Sequence, residues 1–444
     1  MGAFLGIADS LTNPYKGVSY DEQAILLEQN IYPSQPMITQ EAWRAIQSFM
    51  LSQAPDSLPK IVHGSALDTS RTFQFKPVLL RDGNPMVTML KHDPTDSKVY
   101  LGFQNGQLLT WDLPTDEMQS ILFTSPVIDL DRLNGEKMFS LIGYMHPSEM
   151  DYGALLQPSK SSQYHVLLQD LPRPVQTAIG DLSGDGLEDI VVSTFGNLTG
   201  HYSWFEQQAD GQFIEHQLMS RPGAISSTIT DLNEDGLPDI ITLMSQGDEC
   251  VMAFYNTGNG TFNAQKLLSF PAVYGSNSMQ VIDFDADGDL DLVITHGDNA
   301  DLSQVLKPYH GISIYLNNGQ QVFQKAYTYP MYGASGTEVA DFDLDGDLDI
   351  FGLAYFADFS NDQGQLLVYL ENRGQFDFKI SQIAGSTQGH WLVSDLADID
   401  QDGDPDILLG SNLFKSSEES EAIRSLWDTH LHDLVILENQ TIIP

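Results

Sequence analysis

The chain has 444 residues, 41% of them hydrophobic, and its 61 Asp and Glu against 20 Lys and Arg give a formal net charge of −41. This length can bury a large core, while the charge repels DNA, RNA and anionic membrane surfaces with no basic patch to offset it, which excludes nucleic-acid binding. No run of 18 apolar residues spans a membrane, and the single cysteine, Cys250, excludes an intrachain disulfide or a thiolate metal cluster.

Residues 1–65 differ in texture from the rest. Ser19-Tyr-Asp-Glu22 is a capping box that predicts a helix to about Gln29, ended by Asn30 and the prolines at 33 and 36. A second helix is expected from about Gln40 to Gln53, with Trp43, Ile46 and Met50 on one face and Pro55 beyond its end. Two short helices bury little alone, so they are expected to pack on the rest of the chain or to belong to a domain whose first part is missing.

Strand patterns take over from about residue 70. Met86–Leu90, Val99–Phe103, Leu108–Leu113 and Gln119–Phe123 read as one four-stranded unit. Asp129-Leu-Asp-Arg-Leu-Asn-Gly135, followed by the strand-like Met138–Ile142, reads as a decayed copy of a loop that then recurs five times. That loop has nine residues. Its odd positions are Asp181, Ser183, Asp185, Leu187 and Asp189 in the first copy and Asp231, Asn233, Asp235, Leu237 and Asp239 in the second. The third has Asp283, Asp285, Asp287, Asp289 and Asp291, the fourth Asp341, Asp343, Asp345, Asp347 and Asp349, and the fifth Asp398, Asp400, Asp402, Asp404 and Asp406.

Oxygen at positions 1, 3 and 5, a backbone carbonyl at 7 and a carboxylate at 9 can wrap one hard cation, and position 6 must turn sharply. It is always glycine: Gly186, Gly236, Gly288, Gly346 and Gly403. No acidic residue follows at position 12 and the flanks are strands, so this is not the helix-loop-helix calcium loop. Ca²⁺ in about five sites is the expected cofactor.

The loops recur every 50 to 58 residues, a propeller or solenoid period. Each period holds four strand-like runs, the last two joined by Asn- and Gly-rich turns such as Asn256-Thr-Gly-Asn-Gly260. The expected fold is an all-β, seven-bladed β-propeller of four-stranded antiparallel blades over residues 70–444, with a short helical N-terminal extension. The last blade ends on its third strand, Leu434-Val-Ile-Leu-Glu-Asn-Gln440, so Thr72–Leu80 is expected to close the ring as its fourth. Closure also removes an exposed sheet edge.

Of the 61 acidic residues, 23 lie in the five loops. Carboxylates ~4 Å apart repel by roughly 4 kcal/mol per pair at an effective dielectric near 20, so metal-free loops should strain the blades. Extracellular calcium modules bind with Kd of roughly 10⁻⁴ to 10⁻³ M, and millimolar Ca²⁺ then adds on the order of 1 kcal/mol per site. Cytosolic calcium would not fill such sites, which places the protein outside the cell or in the periplasm. Met1-Gly-Ala-Phe-Leu-Gly-Ile-Ala lacks the basic start and length of a signal peptide, so an exported protein is expected to carry residues ahead of this chain.

The five loops match the Asp-x-Asp-x-Asp-Gly-x-x-Asp signature closely, and residues 85–440 resemble the FG-GAP/VCBS family of calcium-binding β-propellers. Ser183 and Asn233 depart from the signature but still offer oxygen. His296-Gly-Asp-Asn-Ala-Asp301, Lys307-Pro-Tyr-His-Gly311 and Gly389-His-Trp391 are similar to a bacterial subgroup of secreted repeat proteins. Members of that subgroup often carry a cytochrome c-like segment ahead of the propeller, and residues 1–60 resemble its tail. No Cys-x-x-Cys-His exists here, so this chain cannot attach haem by that route.

The metal loops join first to second strands and share one face of the disc. Other connections gather opposite, where the insertion from about Thr295 to His310 brings His296, Asp298, Asn299, Asp301, Lys307, Tyr309 and His310 to one rim. Tyr274, Asn277, Tyr332, His390 and Trp391 come from blade-to-blade loops. Aromatic faces with imidazole, amide and carboxylate groups suit a sugar or a peptide. The same side chains also suit the knitting together of long loops, and His296 with His310 is a candidate base pair or pair of soft-metal ligands.

Three functional readings stand. The first is a non-enzymatic, calcium-stabilised, monomeric binding or scaffolding module for a protein or carbohydrate partner. Next is the propeller part of a haem-containing redox protein, and third a polysaccharide lyase or related sugar-active enzyme.

Overall fold

The computed structural model describes residues 3–7, 15–61, 67–80, 83–159, 164–299, 305–360, 365–413 and 420–441. Seven sheets, each with four antiparallel strands in meander order, form a seven-bladed β-propeller. The first strands of the blades are Val87–Asp93, Val127–Leu133, Pro174–Gly180, Ala224–Thr230, Ser276–Ile282, Ala334–Ala340 and Trp391–Ala397. These neighbour one another around the axis.

Second strands such as Asp189–Thr194, Asp239–Met244 and Asp349–Ala354 are buried along their whole length, because each sheet packs between two others. This explains their continuous apolar runs. Blades approach closely where a side chain is missing: a Cβ on Gly352 in blade six would stand 2.4 Å from Ile312 Cδ1 of blade five. A β-bulge after the first paired residue recurs in all seven first-to-second strand ladders and sharpens the local twist.

Blade seven is built from both ends of the described chain. Trp391–Ala397, Asp406–Ser411 and Leu434–Asn439 are joined by Phe73–Val78, which pairs antiparallel to the last of them from Phe73 opposite Asn439 to Val78 opposite Leu434. Before entering blade seven, Asp68–Thr69 runs parallel to Ser381 and Gln382 at the outer edge of blade six. Phe73 drives the closure, with its ring 5.4 Å from Phe342 and 5.3 Å from Tyr369.

The decayed copy in blade two takes a course that its sequence does not reveal. Leu133 pairs with Glu136 across a tight Asn134-Gly135 turn in which both residues have positive φ, so a two-residue hairpin replaces the metal loop. Asp129 and Asp131 therefore lie within the first strand. Asp131 accepts from the Thr177 hydroxyl of blade three at 2.6 Å, and Asp129 accepts from the Thr177 amide at 2.8 Å. In blade one, Asp93 and Asp96 receive Arg132 at 2.6 Å and Lys137 at 2.7 Å from blade two, a cation supplied by the protein itself.

Around the axis, Lys91 lies within electrostatic reach of the carboxylates of Asp395, Asp129, Asp131 and Glu338. Burial lowers the Lys91 pKa, but the four carboxylates outweigh it and hold it above the usual lysine value. Burial raises all four acids, with Asp131 and Glu338 pushed up to about 7. The unfolded chain releases these protons near pH 4, so between roughly pH 4 and 7 the folded state holds more protons and stability falls as pH rises. In chelator, the melting temperature is expected to fall steadily from pH 5 to pH 7; a rise over that interval would show that these four acids are ionised without penalty.

Ahead of the ring, Tyr20–Glu28 and Gln40–Gln53 are helical. The Ser19/Glu22 capping box forms, and Glu22 also accepts from the Ser148 hydroxyl and the Glu149 amide, which pins the first helix to blade two. Leu26 is its buried anchor. No residue of the second helix is buried. Glu421–Thr429, a third helix capped by Ser420, lies in the second-to-third strand connection of blade seven and buries Ile423 and Trp427. Among the described residues no helix is long and apolar enough to cross a membrane.

Candidate functional site

Each Asp loop follows directly from a half-buried first strand and is organised by its own carboxylates. The Asp at position 1 accepts from the amides at positions 5 and 6, at 2.8–3.2 Å in all five copies. Position 6 is left-handed, with φ from 87° to 100°, which is why glycine recurs there. Position 4 is left-handed too, although four copies carry Glu234, Ala286, Leu344 or Gln401 at that point.

Position 9 ties the loop to the blade. One oxygen accepts from the position 2 amide at 2.8–3.2 Å. The other accepts from the backbone amide at the end of the third strand, that of Gln207, Asn256, Asn317, Asn372 or Asn439, at 2.7–2.8 Å. In the last four copies the Asn side-chain amide also donates to the position 8 carbonyl at 3.1–3.3 Å. Sequence reasoning placed Asn256, Asn317 and Asn372 in turns and Asn439 in a third strand, although their recurrence at one place in the repeat was a signal for this clasp.

Three loops bring carboxylate oxygens within 4.8 Å of one another: Asp283, Asp285 and Asp291; Asp341, Asp343 and Asp345; Asp398, Asp400 and Asp406. No Lys or Arg among the described residues pairs with these nine carboxylates. Burial, aided by neighbouring carboxylates, raises Asp285 and Asp343 and pushes Asp291 and Asp406 up to about 6. This is the electrostatic state that a hard divalent cation relieves.

Among the described residues, Ser183 Oγ of the first loop is buried without a hydrogen-bond partner. The second loop differs, because Asn233 turns its amide nitrogen onto Asp235 Oδ2 at 3.0 Å. Asp349 differs again. It accepts a third bond, from Tyr369 Oη at 2.7 Å, and burial pushes it up to about 7. Asp181, Asp185, Asp189, Asp231 and Asp239 complete the first two loops, with Leu187 and Leu237 at position 7. Asp287, Asp289, Asp347, Asp402 and Asp404 complete the others.

On the opposite face the sequence candidates separate into groups. His296, Asn299 and His310 are buried, while Asp298, Lys307 and Tyr309 are half-buried beside them. Tyr274 stacks on Tyr309 at 5.0 Å and lies 5.2 Å from His296. Asn277 accepts from the Thr295 hydroxyl, and Asp301 lies outside the described residues. Tyr332 is elsewhere, its hydroxyl accepting from the Ile61 amide at 2.7 Å. The packing encloses His390 and Trp391. His390 is stacked between Tyr355 at 3.9 Å and Trp427 at 5.0 Å, and Trp391 donates its indole N–H to the Ser386 carbonyl.

Fold and loops together define a seven-bladed propeller carrying repeated Asp loops on one face. The family model for FG-GAP-like repeats matches residues 181–242 and 231–294, a span that holds the first three loops. A search of curated proteins finds no match. Among solved structures, the Neurospora crassa Pan2 WD40 domain is similar at 9% identity and TM-score 0.48, over 81% of this chain and 90% of that one. A luciferin-regenerating enzyme is similar at 12% identity and TM-score 0.40, over 70% and 98%. Likenesses this distant carry no argument about function.

Proposed function

We propose that this protein is a calcium-stabilised, extracytoplasmic propeller that acts as a non-enzymatic binding or scaffolding module. Its loops take Ca²⁺, and the face opposite them meets a protein or glycan partner. The observation that carries this reading is the convergence of three carboxylates in each of three loops, with no Lys or Arg among the described residues paired to them. Oxygen-only donors, and a carbonyl at position 7, suit Ca²⁺ over d-block metals.

Calcium here is structural. It cancels the repulsion of carboxylates that the fold has already gathered, and the position 9 clasp passes that stabilisation to the third strand of the blade. With about 1 kcal/mol per site at millimolar Ca²⁺, several sites raise the fold's stability by several kcal/mol, a large share of the 5–15 kcal/mol typical of a folded protein. The melting temperature in millimolar Ca²⁺ is therefore expected to exceed that in EDTA by several degrees, with Mg²⁺ a poor substitute. Equal melts in the two buffers would refute the proposal.

A further inference from the structure

We propose that the Asp loops of blades six and seven take up calcium as a coupled pair, and those of blades three and four likewise; this rests on the calcium reading above. One buried asparagine joins the two loops of each pair. Asn439, at the end of the third strand of blade seven, donates its backbone amide to Asp406 Oδ1 at 2.7 Å and its side-chain amide to the Phe342 carbonyl of blade six at 2.8 Å. Its own Oδ1 accepts from the Thr441 amide at 3.1 Å, which turns Nδ2 toward the neighbouring loop. Asn256 repeats this from blade four to blade three, donating to Asp239 Oδ1 at 2.7 Å and to the Leu182 carbonyl at 2.9 Å.

The accepting carbonyl is that of position 2 in the neighbouring loop. Its peptide unit leads directly into position 3, Asp343 or Ser183, and the amide of the same residue donates to the position 9 carboxylate, Asp349 or Asp189. Three hydrogen bonds therefore connect the position 9 acids of adjacent blades, through Phe342 and Asn439 in one pair and through Leu182 and Asn256 in the other. Asp343 and Asp406 each belong to a converging carboxylate set, so Asn439 spans two cation sites. Asn439 is 1% exposed and Asn256 3%, which keeps water from taking over either bond. Blades three and four also touch here, since a Cβ on Gly260 would stand 2.7 Å from the Trp204 ring.

Blades five and six lack this link to the blade before them. Asn317 and Asn372 hold their own position 9 acids in the same way, but among the described residues their side-chain amides donate only within their own blades, to the Leu290 and Leu348 carbonyls. Phe376 of blade six stacks on Phe284 of blade five at 6.0 Å, a contact without a directional bond to the position 2 carbonyl. A cation drawn between the carboxylates of one loop orders its positions 3 and 9. Where the asparagine bridges, that order is carried to the neighbour, and a second ion meets ligands already placed. Linkage makes the effect reciprocal: filling either loop of a pair tightens the other by the same factor, about 5-fold or more.

The test leaves two loops in place at a time. Asp181→Ala and Asp231→Ala remove the loops of blades three and four from two proteins; Asp283→Ala then leaves the six/seven pair in one, and Asp398→Ala leaves the five/six pair in the other. Both pairs contain the blade six loop, and every loop in them gathers three carboxylates. Calorimetric titration of the chelator-treated proteins with Ca²⁺ is expected to show two ions bound by each. In the six/seven pair the second binds about 5-fold tighter than the first or more, while the five/six pair binds both independently. Asn439→Ala should make the six/seven pair independent, whereas Asn372→Ala, which removes the same clasp within its blade, should leave the five/six pair as independent as before. Independent sites in the six/seven pair, or equal coupling in both pairs, would overturn this inference and leave the calcium reading standing. No ion bound by either protein would overturn both.

Discussion

Asp349→Ala is expected to destabilise the protein by roughly 3 kcal/mol or more, at about 1–3 kcal/mol for each buried donor left unpaired. Three donors depend on this carboxylate: the Phe342 amide, the Asn372 amide and the Tyr369 hydroxyl. The first belongs to the loop and the other two to the third strand, so the substitution uncouples the loop from its blade. Asp347→Ala is the matched control. Position 7 offers its carbonyl, which alanine retains, and the loss should stay within about 0.5 kcal/mol. Denaturant unfolding in excess calcium measures both, and equal losses would show that position 9 is not the clasp.

Opening the ring is the second large effect. Phe73→Ala should cost roughly 3–5 kcal/mol, the usual range for a buried Phe, because the ring is 5% exposed among Phe342, Phe351 and Tyr369 of blade six. The loss reaches beyond packing. Phe73 begins the strand that covers the outer edge of Leu434–Asn439, and an uncovered third strand invites pairing with another chain. Unfolding of Phe73→Ala should therefore shift to lower denaturant with new aggregation at high protein concentration. A monomeric variant of unchanged stability would mean that the ring closes without this strand.

The blades and loops were legible in the sequence because their causes are local. An Asp-Gly turn of fixed spacing followed by an apolar run is written in adjacent residues, and so is the Ser19 capping box. Thr72–Leu80 was legible for a different reason: a ring of repeats one strand short has one place for a spare strand. Less readable was anything that depends on what crosses the space between blades. Asp129 and Asp131 resemble a loop in sequence, yet a two-residue turn moves them to the axis beside Lys91. Asn256, Asn317 and Asn372 read as ordinary turn residues, and Asn439 as part of a third strand, until the position 9 carboxylate is seen beside them. His390 and Trp391 have the composition of a binding rim, but Trp427, from a helix whose local signal was its Ser420 cap and its Ile423 and Trp427 four residues apart, closes over His390.

The central claim is that calcium occupies the Asp loops, and calorimetric titration of the chelator-treated protein with Ca²⁺ tests it most directly. The account predicts stoichiometric binding at three loops or more, lost one site at a time by Asp283→Ala, Asp341→Ala and Asp398→Ala, each of which removes a position 1 carboxylate. No calcium-binding heat from the folded protein, or heat that survives all three substitutions together undiminished, would contradict it.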